Sequence, residues 1–378
     1  MQCRKLDQNE RRLPVCRNSF LIAAFAAIIS VTPSFAEKGA RDAGQYLREV
    51  RSNPQALRAF MKRMPKGAEL HTHLSGTPTP DRLLQLAAES KSAKYFVSLP
   101  MKVEPTEDPT AYAFVAVAAG SQPPTNPKLK YVTPSALLEA KSGDIKAHLL
   151  EFRQANLINA RDAKPLATFY ATTFQRRGAV VNNREMLPRM IVDEIKNARQ
   201  HRVSYLEIQL NPFPTDPTLK AADNERSINP TSAREYLQTL VDVVDKENKG
   251  VSHTQQVHVR FVLAFLRTSP RILTQLPIAF EIASGKDAVA QAIAGINLVG
   301  NEYSDDLRAG QFIAGPENMR DYLLTLKRTY PRVHVALHAG EITTWDWHIR
   351  DSALAGAERI GHAVNLGLSP EDVDSNLL

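Results

Sequence analysis

The chain has 378 residues, with 47 lysines and arginines against 40 aspartates and glutamates, and 43% of its residues are hydrophobic. Both cysteines, Cys3 and Cys16, fall within the first 36 residues, so the rest of the chain can build neither cysteine-ligated zinc nor a thiolate nucleophile. Beyond residue 36 the charge balance is only about +4 and no basic run interleaves with aromatics, which argues against a nucleic-acid partner.

The chain opens with Arg4, Lys5, Arg11, Arg12 and Arg17 ahead of an apolar stretch from Phe20 to Val31, closed by Ser34-Phe35-Ala36. That is the pattern of a secretory signal with a small-x-small cleavage site. It predicts removal of residues 1–36 after about Ala36 and export, with a bacterial periplasm as the expected destination. The apolar stretch covers about twelve residues where a bilayer needs about 20, so no stable membrane span is expected. Cys16 stands before that stretch, not after it, which argues against a lipid-anchored cysteine. Residues 37–378 are then the expected mature domain, long enough to bury one large core or two smaller ones.

Following the Pro65-Lys66-Gly67 turn, AELHTH predicts a strand over 68–73. Residues 98–134 hold seven prolines, including Pro123-Pro124, and read as an irregular insertion between helices, either a surface loop or a lid. Helical periodicity runs over 185–201, 232–248 and 318–330. Apolar, β-rich stretches lie at 203–210 (VSYLEIQL), 256–266 (QVHVRFVLAFL), 293–299 (IAGINLV), 332–338 (RVHVALH) and 358–363 (ERIGHA). Six strands alternating with helices predict an α/β fold with a parallel sheet. At the end of the chain, Ser369 reads as an N-cap with Pro370 at the first helical position.

Three of the predicted strands end in histidine. Residues i and i+2 of a strand share a face, so His71 and His73 can turn both imidazoles to one point, a chelate for a divalent metal. Alone, two hydrogen-bonded histidines would look the same. VHVALHAGE ends a second strand in His338, with Glu341 three residues on, and ERIGHAV ends a third in His362. In a parallel barrel all such ends face the rim that carries the active site. Glu341 suits a general acid or base beside an activated water; the plainer reading is a carboxylate favoured by a helix dipole. His148, His201, His253 and His348 lack this setting and are expected to be solvated. No His-Glu-x-x-His string is present, which disfavours a helix-borne peptidase site.

Five segments, MPKGAELHTHLSG, LEIQLNPFP, AGINLVGNE, LHAGE and RIGHAVNLG, occur in the order in which the adenosine deaminase family of metal-dependent barrels carries its strand ends. The chain resembles that family, particularly its secreted, growth-factor-like branch and related bacterial proteins. The resemblance implies a TIM-type (β/α)8 barrel with Zn2+ held by His71, His73 and His338. It implies that Glu341 protonates the purine ring nitrogen next to the attacked carbon, that His362 orients or deprotonates the water, and that Gly300 sets a backbone group against the purine. The implied reaction is attack of zinc-bound hydroxide on C6 of adenosine or a related purine nucleoside, giving inosine and ammonia. The base-editing zinc deaminases need cysteine ligands and are excluded.

The chain departs from the family at two places. Ser75 stands where the small adenosine deaminases carry an aspartate for the sugar's 5′ hydroxyl. The family also has two further strands, the last ending in an Asp-Asp pair, so about six of eight strands are expected here, with exposed flanks on the first and sixth. The expectation is a truncated family member. Its alternatives are a catalytically inactive purine-binding fragment and another amidohydrolase-type reaction.

Overall fold

The computed structural model describes residues 42–158, 170–216, 219, 224, 228–300, 319–341 and 347–364. The signal segment and the predicted helix at Ser369 lie outside the described residues. The chain divides into two compact units, 1–64 and 65–378. In the first, helices Ala43–Val50 and Pro54–Arg63 are capped by Asp42 and Asn53, whose side chains accept from the first free backbone amides. Tyr46 and Phe60 meet edge to face with centroids 5.6 Å apart.

The second unit carries the strands β1 (Gly67–His73), β2 (Lys94–Pro100), β3 (Phe114–Val117), β4 (Leu129–Val132), β5 (Val203–Leu210), β6 (His258–Leu266), β7 (Ile293–Val299), β8 (Val335–Ala339) and β9 (Arg359–His362). Six of them form one parallel sheet in the order β1-β5-β6-β7-β8-β9. These are the six strands predicted from the sequence. Helices Met186–Gln200, Pro230–Asn248 and Met319–Thr329 also match, to within two residues at either end.

Alternation along each strand divides the sheet into two faces. Leu206, Ile208, Phe261, Leu263, Phe265, Ile296, Leu298, Val335 and Leu337 join one apolar core with helix residues such as Met190, Ile195, Leu240, Phe280 and Leu323. Each such side chain contributes about 1.5–3 kcal/mol on burial. That outward face therefore supplies the stability, and the inward face is free to carry polar groups. Gln209 of β5 reaches Asn297 of β7 at 2.9 Å, across the intervening β6, so the inward face is concave. The sheet is a nearly closed, partial (β/α) barrel.

The open seam lies between β1 and β9, which share no backbone pairing among the described residues. The first half of β1 is exposed there, with Leu70 at 47%. Farther along, the two strands approach closely. A Cβ built on Gly361 of β9 would lie 3.0 Å from His71 Cε1 of β1.

The proline-rich insertion departs from the sequence expectation of irregular chain. Its strands form an antiparallel sheet in the order β3-β2-β4. The prolines that suggested an irregular insertion fall in the connections or at element ends: Pro100 closes β2, and Pro134 opens the helix Pro134–Leu138. The aromatic and β-branched residues between them pair and pack, with Tyr95, Val97, Leu99 and Phe114 joining the core. Arg176, fully buried, pins the 101–113 connection by donating to the carbonyls of Thr106, Asp108 and Ala111.

Candidate active site

The two histidines of β1 owe their placement to a bulge. Glu69 pairs with Leu206 and Thr72 with Ile208, so β1 spends one residue more than β5 over the same length. A bulge re-aims side chains locally. Here it falls at Leu70 and His71, and the His71 amide donates to Glu69 Oε1 at 3.2 Å. The His71 and His73 rings end 5.0 Å apart at 66°, with their Nε2 atoms 3.2 Å apart.

His338 reaches the same point from β8. Its Nε2 lies 2.9 Å from His73 Nε2, and it is 2% exposed. His362 arrives by a different route. On β9 it is Gly361 that pairs with His338, so alternation alone would turn His362 away. The backbone at His362 and Ala363 is left-handed, with φ of 75° and 52°. With that turn, the His362 ring comes to rest 4.8 Å from His71 and 4.7 Å from His338. One donor nitrogen from each of His71, His338 and His362 lies within 4.8 Å of the others. Such conformations are uncommon for non-glycine residues and gather at functional sites.

Glu341 is placed by the glycine before it. Gly340 has φ of 71°, and a Cβ there would fall 2.7 Å from Ile349 Cδ1. Only glycine fits this turn, which brings Glu341 Oε2 to 3.8 Å from His362 Nε2. Gly300, with φ of 100°, follows β7 and lies beside Leu266. It shares the carboxyl rim with the histidines, and residues 301–318 after it lie outside the described residues.

Behind His338 runs a relay that the sequence reading missed. Asn297 Nδ2 donates to Gln209 Oε1 at 2.9 Å, so its Oδ1 is the atom facing His338 Nδ1, at 3.2 Å. His338 therefore carries its proton on Nδ1 and aims the Nε2 lone pair into the cluster, the usual way an outer partner fixes a ligating imidazole. All three residues are buried. The available signal was a polar residue on the inward face of each apolar strand, Gln209 in VSYLEIQL and Asn297 in IAGINLV. Arg267, also buried, donates to the carbonyls of His338 at 2.8 Å and Leu298 at 3.2 Å, tying two strand ends together.

Two histidines expected in solvent are buried instead. His348 sits against Arg267 Nη1 at 3.0 Å, and His148 lies on the inner side of helix Gly143–Asn156 with Leu149 and Phe152. His148 follows the helical period of its apolar neighbours, a packing signal stronger than its polarity. His201 and His253 are exposed, as predicted.

The cluster favours neutral imidazoles. Burial, followed by the charges of His362 and Arg359, lowers His71 to about 4. Burial, with His71 and His362, lowers His73 to about 4. His338 is pushed well below the usual imidazole range, by burial first and then by His73, His362 and His71. A single N–H on His73 could lie along only one of its two short contacts, so lone pairs face one another unless a cation sits between them. A tetrahedral ion with bonds of about 2.0–2.1 Å would set its nitrogens about 3.3 Å apart. The observed 3.2 and 2.9 Å need only a small opening to meet that distance.

A parallel barrel with converging imidazoles and a carboxylate at its carboxyl rim defines a barrel hydrolase whose histidines are grouped as metal ligands would be. The chain belongs to the adenosine deaminase family, whose sequence pattern matches residues 141–372, more than half of its length. Among solved structures it is similar to an adenine deaminase from Arthrobacter aurescens, at 16% identity over 82% of this chain and 68% of that one, with a TM-score of 0.47. It is also similar to an amidohydrolase from Burkholderia ambifaria with bound Zn, at 15% identity over 83% and 63% of the two chains and a TM-score of 0.46. A third is an Arabidopsis N6-mAMP deaminase, at 16% identity over 83% and 69% and a TM-score of 0.47. No curated protein matches the chain. Among the described residues, no helix is long and apolar enough to cross a membrane.

Proposed function

We propose that the protein is a zinc-dependent deaminase that removes the exocyclic amine of adenosine or a related purine nucleoside, releasing ammonia and leaving inosine or its equivalent. The observation that carries this reading is the convergence of the His71, His73 and His338 Nε2 side on one point, with His362 and Glu341 alongside. His71, His73 and His338 would hold zinc. Bound there, zinc supplies a water whose pKa falls from 15.7 to about 7.

His362 would take a proton from the attacking water, because its ring stands against His71 and His338 and has a carboxylate partner 3.8 Å away. Glu341 gives a proton to the purine ring nitrogen beside the attacked carbon. Gly300, bare of a side chain, lets the backbone come up to the base. The water oxygen bonds to the attacked carbon, the proton held by His362 passes to the amine, which leaves as ammonia when the carbon–nitrogen bond breaks, and the remaining hydroxyl proton restores Glu341. Export to the periplasm is proposed on the basic, apolar and small-x-small order of residues 1–36.

Metal analysis of the purified full chain, combined with an absorbance assay on adenosine, deoxyadenosine, adenine and adenosine monophosphate, tests the proposal. One zinc per chain and turnover of a purine amine are the expected result. Zinc without turnover of any of them would reduce the protein to a metal-binding relative, and absence of zinc would overturn the site assignment.

A further inference from the structure

The two halves of the site stand on strands that share no backbone pairing among the described residues. His71 and His73 lie on β1, His362 on β9, and the described backbone pairing of β9 is with β8 alone, over four residues. A strand held on one edge can swing about it. Something other than the sheet ladder must fix the distance across the seam.

Among the described residues, one ion pair crosses it. Arg359 Nη2 of β9 meets Glu207 Oε2 of β5 at 2.5 Å, on the far side of β1 in the sheet order. The other carboxylate oxygen of Glu207 accepts from Tyr205 at 3.0 Å, and the Glu207 side chain is only 7% exposed. Both oxygens are therefore held. Glu207 stands between Leu206 and Ile208, the partners of Glu69 and Thr72, so it is level with the bulge that carries His71. Arg359 lies two residues before Gly361, where an added Cβ would stand 3.0 Å from His71 Cε1, so the bare glycine lets β9 pass close to that ring. The pair thus sits directly below the imidazole cluster.

We infer that Glu207 and Arg359 form a clasp across the seam, a pair of positioning residues that seats β9 against β1 and sets His362 and His71 in register. This rests on the zinc reading of the site, since the clasp acts through the imidazoles that would serve the metal. A planar guanidinium is suited to this task because its fork is pre-organised for a carboxylate, which a lysine ammonium is not. Glu207 is too buried for the pair to behave as an ordinary surface salt bridge.

The test uses the full chain with Arg359→Met, Arg359→Lys, Glu207→Gln and the double variant Glu207→Gln/Arg359→Met. Two readouts are taken: zinc affinity by chelator competition, and histidine ring NMR signals of the metal-free protein. Arg359→Met is expected to weaken zinc about 10- to 100-fold and to shift the His71 and His362 ring signals, with partial recovery in Arg359→Lys. The double variant should lose no more than the weaker single one, because the two residues act as a unit. Unmoved ring signals and unchanged zinc affinity, with only a lower melting temperature, would overturn the clasp. If the wild type holds no zinc, the proposed function fails, while the ring signals of the metal-free variants still decide the clasp. Should Arg359→Met not fold, Glu207→Gln keeps the side-chain shape and gives the same two readouts.

Discussion

Replacing Gly361 with alanine isolates the geometry of the cluster from its chemistry. Gly361 is not in the left-handed region, so alanine is allowed by the backbone and the effect is steric. The new Cβ would stand 3.0 Å from His71 Cε1 and 3.4 Å from His338 Nδ1. Carbon atoms settle about 3.5–4.0 Å apart, so either the His71 ring or β9 must retreat by about 0.5 Å or more. Metal-ligand distances tolerate about 0.2 Å. Overpacking of this kind costs about 1–3 kcal/mol, and each 1.4 kcal/mol is a factor of ten, so zinc affinity should fall by about 5- to 150-fold. Chelator competition measures it, with a thermal melt of the metal-free protein as control. Wild-type zinc affinity in Gly361→Ala would refute the packing argument, because it would mean that the ring has room the structure does not show.

The remaining predictions divide the site by role. His73→Ala should lose zinc, whereas His362→Ala should keep it and lose turnover; metal content after dialysis separates the two, and equal loss from both would reassign His362 as a ligand. Glu341→Gln should abolish turnover with zinc retained, and surviving activity would remove Glu341 as the proton donor. Asn297→Leu strips the buried His338 Nδ1 proton of its acceptor, which costs about 1–3 kcal/mol and should appear as a lower melting temperature together with weaker zinc. The metal-free protein should also be acid-labile. His71 and His73 titrate at about 4 when folded and at 6.5 when free, so the unfolded chain binds more protons between those values and stability falls as pH drops from 6.5 towards 4. A melting temperature that held level across that window would contradict the depressed values.

Much of the frame was legible in the sequence, because period-two and helical patterns are local and the strand-ending histidines stand at the ends of those patterns. The six parallel strands and the three helices fall where periodicity put them. The insertion was misjudged since proline signals interruption but not what lies between interruptions; residues Phe114–Val117 and Leu129–Val132 are too short to announce strands without the partner Lys94–Pro100. His348 is buried against Arg267, which comes from another part of the chain, whereas the burial of His148 was legible in the helical period it shares with Leu149 and Phe152 and was outweighed by its polarity.

By itself the sequence marked the candidates for the chemistry, His71, His73, His338, Glu341 and His362, and the strand that ends at or just before each. Only the tertiary structure decided that they meet. The extra residue in β1, the left-handed turn at His362, the Gln209–Asn297 relay behind His338 and the Glu207–Arg359 contact across the seam all depend on strands far apart in the chain. The reason is physical: alternation fixes the face to which a side chain points, but its aim within that face is set by what packs against it, and those partners are brought in only by the closing of the sheet.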